Sequence, residues 1–143
     1  MGIKWQGINV SDAASGLVGD ITVINQGKII LAIEVTERIV DRSRLVSTFN
    51  TKIAPFAIED YLFLVGRTES SEEARGQAAR YFAQGHEINF AQIFDWLIML
   101  LATLGKSGRD LYNTNLMRLL DDPEIPQVVK VAWNESVEAL FGQ

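Results

Sequence analysis

Residues 29–35 of this 143-residue chain read IILAIEV, the strongest apolar run in the sequence, and one carboxylate, Glu34, stands inside it. Seven residues are short for a buried helix and suit a central strand covered on both faces. An ionised carboxylate flanked by Ile33 and Val35 loses hydration there, which costs roughly several kcal/mol or raises its pKa unless a cation lies beside it. If Glu34 is buried, a divalent cation would remove that penalty.

The residues before that run supply a second carboxylate. Ile21, Val23 and Ile24 alternate as a strand, Gly19 and Asp20 precede them, and Asn25, Gln26 and Gly27 separate them from the apolar run. This reads as a hairpin. A three-residue loop with Gly27 in the left-handed region sets Ile24 opposite Lys28, Thr22 opposite Ile30 and Asp20 opposite Ala32. Asp20 is then the diagonal neighbour of Glu34 on one face, whereas a two-residue loop would put the two on opposite faces. Further upstream, Ile3 and Trp5 alternate and the phase slips at Gly7 before Ile8 and Val10, as in a short bulged strand, and SDAASGLVG follows as a loop.

Beyond Thr36 the apolar spacing changes to Leu45, Val46, Phe49 and Ile53, which predicts a helix from about Asp41 to the residue before Pro55. YLFLV at 61–65 is the next buried strand. Ser70 and Ser71 ahead of Glu72 and Glu73 mark a helix start, Gly85 marks its end, and INFAQI at 88–93 is a further strand. From Phe94 the pattern is helical: Trp96 to Leu104, a GKSG turn at 105–108, Leu111 to Leu120, and Pro126 to Phe141, with Phe94, Trp96, Leu97, Leu100 and Leu101 as a core-facing stripe. The expected fold is α/β: a mixed central sheet in the order β-β-β-α-β-α-β over residues 3–93, with a C-terminal helical extension over 94–143, in one domain.

Composition narrows the chemistry. Cysteine is absent and His86 is the lone histidine, so disulfide scaffolds, zinc clusters and thiol nucleophiles lack their residues. Carboxylates, lysines, hydroxyls and a hard metal remain. The net charge of −5 resides in the second half, where residues 68–143 hold six Lys and Arg against eleven Asp and Glu, while residues 1–67 balance at seven each. Bulk electrostatics therefore oppose DNA binding, and any contact with nucleic acid is local or shared with another subunit. No uninterrupted apolar stretch is long enough for a membrane span, and Lys4 and Gln6 break any signal-peptide core, so the expected location is cytoplasmic.

Asp20 and Glu34 together suit Mg²⁺ or Mn²⁺, since a hard dication takes one or two carboxylates and keeps waters. The competing reading has Glu34 at an exposed strand edge, paired with Arg38 or Arg67. Arg38, Arg42, Arg44 and Lys52 form a basic cluster fitted to phosphates, or else a solvated helix face. GKSG lacks the leading glycine and the strand of a phosphate loop and reads as a helix-helix turn. His86, after Gly85, reads as a helix-end or loop residue.

With that order of elements and that acidic pair, the chain resembles the PD-(D/E)XK nuclease superfamily over residues 18–93, and GDITV, AIEVTERIV, TFNTKIAPF and YLFLV are similar to the C-terminal catalytic part of SacI-type restriction endonucleases. The resemblance implies Mg²⁺-dependent hydrolysis of DNA phosphodiesters, with Asp20 and Glu34 as metal ligands and Thr36 at the position of the superfamily's lysine. A threonine supplies no positive charge, so Lys52 or Arg38 is the expected replacement, Lys28 being too far along the strand, and Arg38, Arg42 and Arg44 are expected on phosphate. The superfamily's usual leading helix has no counterpart, and Asp12 is the candidate substitute for the acid it carries. A homodimer on double-stranded DNA, or a component of a larger restriction-modification assembly, is the implied context. The competing reading, favoured by Thr36, the acidity and the start of the chain, is a catalytically inactive domain of the same fold, kept for dimerisation or docking, and an unrelated α/β domain with a structural acidic pair is the third reading.

Overall fold

The computed structural model describes residues 2–5, 18–67 and 69–141. The chain forms two compact units, Met1–Ile98 and Met99–Gln143. In the first, strands β1 (Gly2–Trp5), β2 (Ile21–Asn25), β3 (Lys28–Thr36), β4 (Asp60–Val65) and β5 (Glu87–Gln92) form one sheet in sequence order. β1, β2 and β3 pair antiparallel, and β3, β4 and β5 pair parallel. Helix α1 (Arg42–Thr48) connects β3 to β4, and helix α2 (Glu72–Phe82) connects β4 to β5. The α/β class and the expected element order hold. The bulge at Gly7, the loop over 11–17 and Asp12 lie outside the described residues.

The core lies between one face of the sheet and the two helices. Ala32, Tyr61, Phe63, Val65 and Ile88 contribute from the strands, and Leu45, Phe49, Ile53, Ala74, Ala78 and Tyr81 from the helical side. Glu34 and Thr36 share that face with Ala32, because alternate strand residues point the same way. β3 is fully buried in its middle only at Ala32, Ile33 and Glu34; Ile29 to Leu31 are half-buried and Val35 is exposed, so the expected two-sided burial is confined to that middle.

The hairpin corrects the expected register. Gln26 and Gly27 form a two-residue turn with φ of 50° and 79°, and Asn25 pairs Lys28 while Ile24 pairs Ile29. Positive φ at both central residues matches the strand twist, which is why a short turn forms here in place of the three-residue loop. Such a turn alone would put Asp20 and Glu34 on opposite faces. A β-bulge shifts the register: Val23 pairs Leu31, leaving Ile30 as the extra residue, so Thr22 pairs Ala32 and Ile21 pairs Ile33. The pairing ends there, and Asp20 precedes the ladder, not paired with Ala32 as expected.

Asp41 caps α1, its Oδ1 accepting from the Arg44 amide at 2.8 Å. The helix then widens into a π-turn over Phe49–Ile53, closed by the Ala54 N–H on the Phe49 carbonyl, and tightens into a 3₁₀ turn over Ala54–Phe56. The helical path thus runs past Pro55, which sits in the first residues of the 3₁₀ turn where a missing N–H is tolerated. Ser71 caps α2 from its side chain to the Ala74 amide at 3.1 Å, and Gly85, at φ 91°, follows the helix end. His86 Nδ1 lies 2.7 Å from the Ile58 carbonyl and its ring meets Phe49 edge-on, a packed position in place of an exposed cap.

Helices α3 (Ile93–Thr103), α4 (Gly105–Asp121) and α5 (Gln127–Phe141) make up the helical part. GKSG is the first turn of α4, not a connecting turn, because the break falls at Leu104 and Gly105, whose φ is 65°. The stripe expected to be core in α3 is half-buried at Trp96, Leu97, Leu100 and Leu101 and exposed at Phe94; no residue of that helix is fully buried, and Ile98 and Met99, outside the stripe, are more than 60% exposed. Its apolar residues run all round the helix, so one face cannot absorb them. Among the described residues no helix is long and apolar enough to cross a membrane.

Candidate active site

Glu34 lies on the core face near the carboxyl end of β3, and three side chains converge on it. Arg44 Nη2 donates to Oε1 at 2.7 Å, Lys52 Nζ lies 3.1 Å from Oε2, and the Tyr61 hydroxyl donates to Oε2 at 2.8 Å. The placement follows from local structure. Arg44, Thr48 and Lys52 recur at intervals of four along α1 and its π-turn, one flank of the helical path, while Leu45, Phe49 and Ile53 fill the neighbouring flank against the core. The i−5 hydrogen bond of the π-turn carries the chain round by a wider step just where Lys52 is needed. Tyr61 pairs Ala32 across the parallel ladder, so it is the diagonal neighbour of Glu34 on the same face.

Burial pushes the Glu34 carboxyl up, yet the Arg44 hydrogen bond, the Lys52 charge and the Tyr61 hydroxyl together outweigh it and hold the group below its usual range. The carboxylate is ionised and neutralised from within the chain. Neither Arg38 nor Arg67 is the partner, and Glu34 is not at an exposed edge.

Asp20 is placed by a close approach of backbones. A Cβ on Gly19 would lie 2.6 Å from the Ile33 carbonyl oxygen, so only glycine lets the entry to β2 sit this near β3. Asp20 Oδ2 then accepts from the Val35 amide at 2.6 Å, extending the ladder with a side-chain oxygen where β2 has not yet begun. The Val18 carbonyl, just before this segment, lies 3.3 Å from the Tyr61 hydroxyl, so one buried phenol touches both the carboxylate and the approach to β2.

The other expected residues are dispersed. Thr36 is buried, and its hydroxyl accepts from the Arg38 amide at 3.1 Å, closing the turn after β3. Arg38 contributes only backbone to that contact and is exposed. Arg42 points across to Gln77 on α2, with Nε 3.4 Å from Oε1. Arg44, expected on phosphate, is on Glu34. Tyr61 carries no sequence signal beyond being the one hydroxyl-bearing residue of YLFLV, and only the parallel register reveals it. Two open grooves follow β5 and α2, lined by Arg75, Asn89 and Phe90, and neither includes Asp20 or Glu34.

A metal can be judged against this donor set. Among the described residues no three of His, Cys, Asp and Glu are grouped to hold a metal ion, so the expected pair of Asp20 and Glu34 is the set to judge. Both supply hard carboxylate oxygens, the donor chemistry taken by a dication that keeps several waters. Glu34 must loosen one of its cationic partners to take part.

Residues 1–67 match the family model described as the SacI restriction endonuclease C-terminal domain. This part of the chain is similar to that restriction-endonuclease domain. The match runs from β1 past the end of β4, and so includes Asp20, Glu34, Arg44, Lys52 and Tyr61. No curated protein matches the chain.

Proposed function

We propose that this restriction-endonuclease-like domain hydrolyses phosphodiesters of double-stranded DNA in a reaction dependent on Mg²⁺ or Mn²⁺. The observation that carries the reading is the ammonium group of Lys52 at 3.1 Å from Glu34 Oε2. The superfamily pattern asks for a lysine two residues after the glutamate, where this chain has Thr36. Lys52 brings the same charge to the same carboxylate from the following helix. Asp20 and Glu34 hold the cation, which when bound stabilises charge on phosphate oxygens and acidifies water. Lys52 orients the attacking water and offsets negative charge developing on the phosphate. Thr36 shapes the turn that carries the strand away from the site. Arg38 and Arg42, both exposed, contact the DNA backbone. Cutting both strands requires two such sites, which a homodimer provides.

A plasmid-nicking assay with Mg²⁺ and Mn²⁺, paired with calorimetric cation titration, tests this. The native chain is expected to nick, Glu34→Gln to lose both cation binding and nicking, and Lys52→Gln to bind the cation while nicking drops by roughly 10²–10³-fold. Cation binding without nicking in the native chain would favour the second reading, a docking or dimerisation domain that keeps the fold. The neutralisation of Glu34 by its own side chains is the observation on that side.

A further inference from the structure

Arg44 occupies one oxygen of the carboxylate to which the proposed function assigns the cation, and its contact differs from that of Lys52. Lys52 shares Oε2 with the buried Tyr61 hydroxyl, whereas Arg44 holds Oε1 through one guanidinium nitrogen. Its side chain is 29% exposed, so it is partly open to solvent. Its backbone is fixed independently by the Asp41 cap, so the side chain can leave Glu34 without unwinding α1.

Charge makes the consequence definite. Asp20, Glu34, Arg44 and Lys52 sum to zero, so a dication entering beside the two carboxylates adds two uncompensated positive charges and meets Arg44 on one of its ligand atoms. A DNA phosphate at the site removes both objections. It contributes negative charge, and it offers a guanidinium the same planar pair of oxygens that a carboxylate does. We infer that Arg44 exchanges partners, holding Glu34 while the site is empty and passing to a DNA phosphate when a cation takes Glu34, so that cation and DNA bind cooperatively. This rests on Asp20 and Glu34 being the cation site, and it gives Arg44 a positioning role.

Calorimetric Mn²⁺ titration of the full chain tests it, without DNA and with a short duplex bearing a non-hydrolysable phosphorothioate at its centre. Without DNA, Arg44→Gln is expected to bind Mn²⁺ about tenfold more tightly than the native chain, since a competing cation is gone. Arg44→Lys, which keeps the charge, stays near native. The duplex is expected to tighten Mn²⁺ binding to the native chain and to do so far less for Arg44→Gln, which also binds duplex more weakly. Thermal unfolding of each variant confirms that the comparison is between folded proteins; Arg44→Gln leaves Glu34 with Lys52 and Tyr61. Unchanged or weaker Mn²⁺ binding by Arg44→Gln, at a site still abolished by Glu34→Gln, overturns the exchange alone. Absence of Glu34-dependent Mn²⁺ binding in every variant overturns the cation site and the exchange with it.

Discussion

β3 carries a carboxylate–ammonium pair near each end, and the two have opposite consequences. At its start, Lys28 pairs with Glu59 in open solvent, with side chains 59% and 64% exposed. Near its finish, Glu34 pairs with Lys52 and Arg44, and its side chain is 11% exposed. Both glutamates are held below their usual pKa, Glu59 by the hydrogen bond and charge of Lys28, Glu34 by partners that overcome burial. The shared direction hides the difference. At the surface, water competes with the partner and the pair contributes little. Beneath α1, the partners replace water that is gone, and removing one leaves an uncompensated charge in a low-dielectric site.

The largest effect should come from Glu34→Ala, which leaves two cations facing each other beside Tyr61. A loss of about 3–5 kcal/mol is expected, read by urea unfolding. Should the loss be under about 1 kcal/mol, the buried end of β3 would be no different in kind from the exposed end.

Gly19→Ala tests how the site is approached. The added Cβ meets backbone atoms of Ile33, which cannot rotate away, so a cost of about 1–3 kcal/mol is expected. The Val35 amide, deprived of its Asp20 acceptor, should exchange with solvent faster. Unaltered Val35 protection would show that Asp20 does not depend on this close approach.

Tyr61→Phe removes one donor and keeps the ring, with an expected cost of about 1–2 kcal/mol. The same cluster sets a pH dependence. Because the folded-state pKa of Glu34 is lowered from 4.5, its contribution is fully present above that value and is lost as pH falls through the lowered one. Acid unfolding of Glu34→Gln should therefore be shallower than that of the native chain below pH 4.5. Curves that stay parallel there would remove Glu34 as a source of acid lability. The smallest effect belongs to Glu59→Gln, for which the melting temperature should be unchanged at moderate salt; a clear drop would mean that the exposed pair is shielded from water.

Much of the fold could be read from the chain because its signals are local. The IILAIEV and YLFLV runs, the Ser71 cap and Gly85 each report a preference of a few neighbouring residues, and each stands where expected within a residue or two. The hairpin was read at the right place with the wrong turn, since Asn25, Gln26 and Gly27 permit either loop length and the added residue at Ile30 is settled by packing across β2 and β3. The stripe in α3 is covered only in part for a related reason: apolarity signals that a helix needs cover, not where that cover is.

The sequence by itself determined that a carboxylate stands in the most apolar strand and that, if buried there, it needs a partner of positive charge, because the cost of an unpaired buried ion does not depend on the fold. It also placed Lys52 and Arg44 on the following helix. Only the tertiary structure decided that both reach Glu34, that Tyr61 joins them from the next strand, and that the Asp20 carboxylate meets the Val35 amide. Those outcomes depend on the turning of a helix around its π-turn and on strand register, where a shift of one residue reverses every side chain, and no short stretch of the chain encodes them alone.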